Sequence, residues 1–423
     1  MRLTYNLAAY LLAPLYCGVL IWRGIKERGY REHFAERFGL GPRLERASLW
    51  VHAASVGEVQ AALGLVRAVR ARAPHVPIVV TTITPAGAAR ARATLAEHGV
   101  SVRHLPLDLP GCVRRFFERV QPSLAIFLET EIWPNLYHEC SRRGIPLLLA
   151  SARLSARSAR RYLRLRTLFA RPFAAIDLIA AQTVTDAERF RSIGARTERI
   201  HVVGNIKFDF SLPEDLSARG REIRARLGEE RRVWVAGSTH AGEEHAALRA
   251  HAKLREMHGD ALLVLAPRHP QRFDEVAVLL ERSGIRTARR SRGETPTLTT
   301  EVLLVDTLGE LLEFYAAADL VFVGGSLVPI GGHNLLEPAA LAKPILTGPH
   351  NFASADIARQ LLERGAAEIV QDADELGSRA TALLSNPELR ARMGARGAAV
   401  VQENRGALAR LLALIDPLLS RYG

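Results

Sequence analysis

The chain has 423 residues, with 57 Lys and Arg against 44 Asp and Glu, a net charge of +13, 48% hydrophobic residues and only 6% aromatic ones. That length suits two domains of roughly 200 residues, and the mix excludes a disordered chain, a collagen and a polytopic membrane protein. The positive balance favours an anionic partner: nucleic acid, an acidic membrane face or a phosphorylated substrate.

The first element is apolar. Residues 3–22 carry no charge, and twenty helical residues at ~1.5 Å each match a hydrocarbon core of about 30 Å. Asn6 and Pro14 interrupt the run, so it either spans the membrane or lies in its interface. Tyr5, Tyr10, Tyr16 and Trp22 supply interfacial aromatics, and Arg23, Lys26, Arg28 and Arg31 follow where only Arg2 precedes. Positive flanks stay inside, so residues 1–29 are expected to be an anchor with the remaining chain in the cytoplasm. Cys17, Cys112 and Cys140 lie far apart without a C-x-x-C, which suits a reducing compartment and no cysteine metal site.

Beyond the anchor, apolar runs alternate with amphipathic helices. Ser48–Ala53, Ile78–Thr82, Leu124–Leu128, Pro146–Ala150 and Leu178–Ala181 read as strands of a parallel sheet covered on both faces. A polar stretch from Asp209 to Glu230 breaks the rhythm, which resumes at Val233–Ala236, Leu262–Ala266, Val302–Val305, Leu320–Val323 and Pro344–Leu346. The expectation is an α/β chain of two Rossmann-like domains, 30–210 and 225–405, joined by a linker at 211–224. A terminal helix within 406–423 is expected to pack back across the hinge. Such domains bind ligands in a cleft at the carboxyl ends of their strands.

The motifs with chemical potential fall at those strand ends. In His52-Ala-Ala-Ser55-Val-Gly57-Glu58 a strand meets a helix; Ser55 and Glu58 have the spacing of a capping box, and Glu58 equally suits a general base facing the cleft. Glu129-Thr-Glu131-Ile-Trp133-Pro134-Asn135 sets two acids against an apolar strand end, where ionised groups need partners. Lys207, in Gly204-Asn-Ile-Lys-Phe-Asp209, is placed to meet a phosphate or carboxylate. In the second half, Gly237-Ser238-Thr239 offers backbone N–H groups to an anion, while His240 and His245 stand five apart, the wrong spacing for a zinc helix. Arg268-His269 between prolines suits gripping a phosphate. Gly331-Gly332-His333-Asn334-Leu335-Leu336-Glu337 and Leu308-Gly309-Glu310 open two further helices, and Glu337 suits ribose hydroxyls. Neither a dinucleotide fingerprint nor a Walker A sequence is present. Arg153–Arg171 holds seven arginines and no acid, with apolar residues between them, which suits an acidic lipid surface better than nucleic acid.

Taken together, HAASVGE, ETEIWPN, SARLSARS, GNIKFD, GSTHAGEE, APRHPQRF, DTLGEL, FVGGSLVPIGGHNLLEPAA and GPHNF resemble, in order and from end to end, the 3-deoxy-D-manno-octulosonic acid (Kdo) transferases of lipopolysaccharide synthesis. The resemblance implies a GT-B glycosyltransferase fold and metal-independent transfer of Kdo from CMP-Kdo to the tetraacylated lipid A precursor. It implies an acceptor site in residues 30–210, a donor site in 225–405, no cofactor, and an inner-membrane location with anionic lipids and no nucleic acid as partners. By motif it makes Glu58 the proton acceptor and has Glu129 and Lys207 stabilise the transition state. CMP contacts would come from Arg268, His269, Leu308, Gly309, Glu310 and Asn334 through Glu337, with Ser55, Gly57, Glu131, Gly237, Ser238, Thr239, Gly332 and His333 as further candidates. A transferase using a UDP-sugar and a membrane-tethered binding protein without catalysis are the alternatives.

Overall fold

Fourteen short strands, the ten inner ones buried on both faces and the four edge strands partly exposed, assemble into two all-parallel sheets in a computed structural model that describes residues 2–420. The chain divides into two compact units. One holds the residues up to Phe210 together with those from Asn404 onward; the other is Ser211–Glu403.

In the first unit the strands are β1 (Ser48–His52), β2 (Ile78–Thr82), β3 (Val100–His104), β4 (Pro122–Leu128), β5 (Leu147–Ala152), β6 (Leu178–Ala181) and β7 (Ile200–Val202). Their order is β3-β2-β1-β4-β5-β6-β7. The order reverses between β1 and β4, so the loops leaving these two neighbours diverge to opposite faces and leave room at their carboxyl ends. Alternate residues of β1 feed different cores. Trp50 packs among Phe116, Phe117 and Phe127 and donates its indole N–H to Thr81 Oγ1 at 2.8 Å. Leu49 and Val51 face the helix Val56–Arg72, whose Val59, Leu65, Val66 and Val69 are buried with Leu411, Leu412 and Ile415 of the terminal helix Ala407–Leu419.

The second unit repeats the plan with β8 (Val233–Thr239), β9 (Leu262–Pro267), β10 (Thr287–Arg289), β11 (Val302–Leu304), β12 (Leu320–Val323), β13 (Ile345–Thr347) and β14 (Ala367–Ile369). Their order is β10-β11-β9-β8-β12-β13-β14, reversing between β8 and β12. The stretch expected to be a linker differs from that reading, because from Leu216 to Leu227 it is a helix of this unit. Only Leu216, Gly220 and Leu227 of that helix are buried. Gly220 lets it close on Ala316, and Arg219 and Arg224 pair with Glu313 and Asp319. Three inward residues in twelve are too sparse a stripe to register as helical periodicity.

The helix Arg2–Lys26 is the one candidate membrane span among the described residues, long and apolar enough by length and composition. Leu3, Leu7, Leu11, Leu12 and Leu15 are exposed, while Leu20 is buried against the first unit.

The terminal helix belongs to the core of the first unit, so Ile415→Ala should cost about 2–5 kcal/mol of unfolding free energy. Urea unfolding measures this, and a loss below about 1 kcal/mol would contradict the packing described.

Candidate active site

The carboxyl ends of β1 and β4 gather the ionisable groups of the first unit. Ser55 caps the helix Val56–Arg72 in extended conformation, its Oγ accepting from the Glu58 N–H at 3.4 Å. Glu58 completes the capping box: Oε2 accepts from the Ala54 N–H at 2.8 Å and Oε1 from the Ser55 hydroxyl at 2.9 Å. Only 8% exposed, its carboxyl is raised from an ordinary 4.5 to about 7, chiefly by burial and then by the negative charge of Glu129, against the opposing effect of its hydrogen bonds. A helix cap with only two donors does not fully stabilise the anion at this depth. The capping and general-base readings of Glu58 therefore describe one arrangement.

Glu129 follows β4 with φ of 55°, in the left-handed region that a non-glycine residue rarely adopts. Its Oε1 accepts from Lys207 Nζ at 2.6 Å. A methyl group built on Gly57 would lie 3.9 Å from that same Nζ, which places the ammonium beside the helix start that carries Glu58. Lys207 is held from behind. Asn205 Oδ1 accepts from the Lys207 N–H at 2.9 Å, and Asp209 accepts from the Gly406 and Leu408 N–H groups, both at 2.6 Å. Glu131 is half-buried and shifted upward by burial and by Glu129, and its carbonyl accepts from Tyr137 at 2.7 Å. Glu58, Glu129 and Lys207 are thus brought together, with Glu131 and Ser55 at their margin.

The far end of the Glu129–Asn135 motif meets the amino-terminal helix. Tyr5 donates to Asp108 Oδ2 at 2.7 Å, and Asn135, which closes the Glu129–Asn135 motif, donates to Asn6 Oδ1 at 2.8 Å. Asp108 also accepts from the Asn135 and Leu136 N–H groups at 3.0 and 2.9 Å, capping the helix Pro134–Arg143.

In the second unit the loops after β8, β9 and β12 form another cluster. Ser238, with φ of 57°, sits where the β8–β9 register shifts, and Thr239 is buried. The imidazoles of His240 and His333 stack at 7° with Nε2 atoms 2.8 Å apart, and His269 meets His240 edge-on at 5.1 Å. Burial depresses all three below the usual 6.5, His333 to about 3; the charge of Arg268 adds to this, Glu243 opposes it at His240, and each is neutral at pH 7. Arg268 is exposed, and its N–H donates to the Thr239 carbonyl at 3.0 Å.

Other candidates sort differently. Gly237 and Gly332 are shaped by packing: a Cβ on either would lie 2.2 Å from the Tyr315 hydroxyl or 2.4 Å from Asn351 Oδ1. Leu335 and Leu336 bury their side chains, so any ligand contact there is through the backbone, and the Leu336 N–H already donates to Asn334 Oδ1 at 3.0 Å. Glu310 is paired with Arg290 at 2.6 Å, which holds its carboxyl below the usual range, while Leu308 and Gly309 stand exposed beside it. Glu337 is half-buried in the first turn of the helix Leu336–Ala340.

Sequence reasoning missed Glu243. It is fully buried, yet it lies in a motif string already singled out, three residues after His240. A carboxylate at the first position of a helix directly after a strand end was the available signal, since that helix start favours negative charge.

The fold and these strand-end clusters define a class. MurG from Acinetobacter baumannii matches with a TM-score of 0.54 at 12% identity, covering 88% of this chain and 99% of that one, so the fold is that of the GT-B glycosyltransferases. A family model described as 3-deoxy-D-manno-octulosonic-acid transferase (kdotransferase) matches residues 32–210. The 3-deoxy-D-manno-octulosonic acid transferases of Haemophilus influenzae and Bordetella pertussis are 42% and 38% identical, each alignment covering 99% of both chains. The chain belongs to the 3-deoxy-D-manno-octulosonic acid transferase family. Fold class and family agree with the motif-based expectation.

The raised Glu58 carboxyl has a stability consequence. Between pH 4.5 and about 7 the folded chain holds a proton that the unfolded chain releases, so stability falls as pH rises through that window, by on the order of 3 kcal/mol. Urea unfolding at pH 5 and pH 8 should show that Glu58→Gln removes this contribution. An unchanged pH dependence in the variant would refute the assignment.

Proposed function

We propose that this protein transfers Kdo from CMP-Kdo to a hydroxyl of the tetraacylated lipid A precursor, lipid IVA, with Glu58 as general base and no metal ion. The observation that carries the reading is Glu58 itself: a buried carboxyl poised near pH 7 beside a Glu129–Lys207 pair, in a chain of this family. A base of that affinity is half-ionised at working pH and accepts a proton readily in the transition state.

In this reading the acceptor oxygen attacks the anomeric carbon of Kdo and its proton passes to Glu58. The bond between that carbon and the phosphate oxygen breaks, and CMP leaves with the bonding electrons. Positive charge develops on the sugar and negative charge on the phosphate. Arg268 meets the leaving phosphate, aided by neutral His269 and the backbone from Asn334 to Glu337. A single phosphate is a smaller charge than a diphosphate, and fixed cations suffice for it. Lys207, held by Glu129, offsets charge near the reacting centre. Leu308 to Glu310 would border the nucleotide.

The acceptor is an anionic lipid, and the first unit has features suited to one. The helix Arg2–Lys26 exposes leucines next to the motif that carries Glu129, and Arg157, Arg160, Arg161, Arg164 and Arg166 are exposed on the helices Ala156–Arg164 and Arg166–Ala174. Apolar insertion and cationic attraction to anionic lipids reinforce one another. In this reading the protein works at the cytoplasmic face of the inner membrane.

Incubation of the full chain with CMP-Kdo and lipid IVA should release CMP and extend the lipid, with kcat/KM rising through a midpoint near pH 7. Glu58→Gln should lower kcat by about 10²- to 10⁴-fold while the protein stays folded. Turnover in that variant within threefold of the parent would sink the base assignment, and CMP release that requires added divalent ions would sink the metal-free mechanism.

Removing the ammonium by Lys207→Met should lower kcat by about 10- to 100-fold through lost electrostatic stabilisation. Single-turnover rates at saturating substrates test this; an effect confined to KM would reassign Lys207 to ground-state binding.

A further inference from the structure

Glu243 lies in the first turn of the helix Glu243–Met257 and is fully buried. Its carboxylate accepts four backbone hydrogen bonds. Oε2 accepts from His240 at 2.9 Å and Gly325 at 2.7 Å; Oε1 accepts from Ser326 and Leu327, both at 2.9 Å. One side chain therefore joins the loop after β8 to the loop after β12, the two strands flanking the reversal of the sheet. The chain of bonds continues outward. The Gly325 carbonyl accepts from Gly331 and Gly332, and the Gly324 carbonyl from His333. Gly325 has φ of 68°, and a Cβ there would lie 2.8 Å from the His333 ring.

We infer that Glu243 is a positioning residue for the donor: by holding Gly325–Leu327 and His240 it sets the stacked His240–His333 pair and the backbone leading to Asn334, without touching the donor itself. This rests on the reading that the second unit binds CMP-Kdo. A carboxylate is needed because all four partners are donors. A glutamine of the same shape turns its NH₂ toward one of the two pairs of N–H groups, orphaning two of them.

The test uses the full-length protein. Glu243→Gln should weaken CMP binding at least about 10-fold by calorimetry and raise KM for CMP-Kdo in parallel, with kcat at saturating donor within about threefold of the parent. Gly325→Ala, which leaves Glu243 intact but crowds His333, should reproduce the loss of CMP affinity. Glu301→Gln is the control for loss of a half-buried, ion-paired carboxylate alone. Glu301 pairs with Arg255 and Arg286 at the amino end of β11, away from the strand ends that carry the site, and its loss should lower melting temperature without changing CMP affinity. Affinity within twofold of the parent in Glu243→Gln overturns the inference, as does normal affinity in Gly325→Ala should Glu243→Gln fail to fold. If the parent protein itself binds no CMP, the donor reading falls and this inference with it.

Discussion

A glutamate in the first turn of the helix that follows a central parallel strand is the constraint on which both units turn. Glu58 follows β1 and Glu243 follows β8, and each reaches back to a backbone N–H at its own strand end. The unsatisfied amides and positive end of the helix favour a carboxylate there in either case. What differs is the number of donors. Glu243 receives four amides and bridges two loops, whereas Glu58 receives one amide and one hydroxyl and has Glu129 as a neighbour. Satisfied, the carboxylate fixes structure; under-satisfied and crowded by a like charge, it holds a proton near neutrality.

The groups around Glu58 are fixed by long-range closure of the chain. Lys207 sits on a turn whose start is tied through Asn205 to Ser151 at the end of β5, and whose end is tied through Asp209 to the first amides of the terminal helix. That helix in turn buries Leu411, Leu412 and Ile415 against Val56–Arg72, the helix that carries Glu58. Base and ammonium therefore share one packed support although they lie about 150 residues apart in the chain. A loop lysine without this support would lose rotamer freedom on meeting its partner and gain little from it.

The central strands were legible because parallel strands buried on both faces read as unbroken apolar runs, as in IVVTT and LAIFL. The edge strands β10 and β14 escaped notice since three residues with polar members, Thr287–Arg289 and Ala367–Ile369, carry no periodicity. At the site, the motif residues that meet in space were visible as strand-end carboxylates and cations. Their partnerships were not, because Glu129–Lys207 joins residues from two separate loops through a left-handed backbone that the sequence Glu-Thr-Glu does not announce. Gly332 and Gly237 show the converse: glycines that read as room for a ligand are filled by Asn351 and Tyr315 of the protein itself. Small residues at a strand end report close approach, but not of what.

Tyr5 and Asn6 illustrate the same ambiguity in the apolar amino-terminal run. As composition Asn6 weakens a membrane span and Tyr5 reads as an interfacial aromatic; in the fold they are the side chains that dock the helix on Asp108 and Asn135. Docking assigns the helix two faces. Leu20 turns toward the unit, and Leu3, Leu7, Leu11 and Leu15, spaced four apart on one stripe, turn away from it. A helix held in this way carries its apolar stripe as a fixed part of the first unit, a few residues from the motif that supplies Glu129. The lipid-facing surface proposed here and the helix that closes the Glu129–Asn135 motif are thus tied together by one set of hydrogen bonds, centred on the capping carboxylate of Asp108.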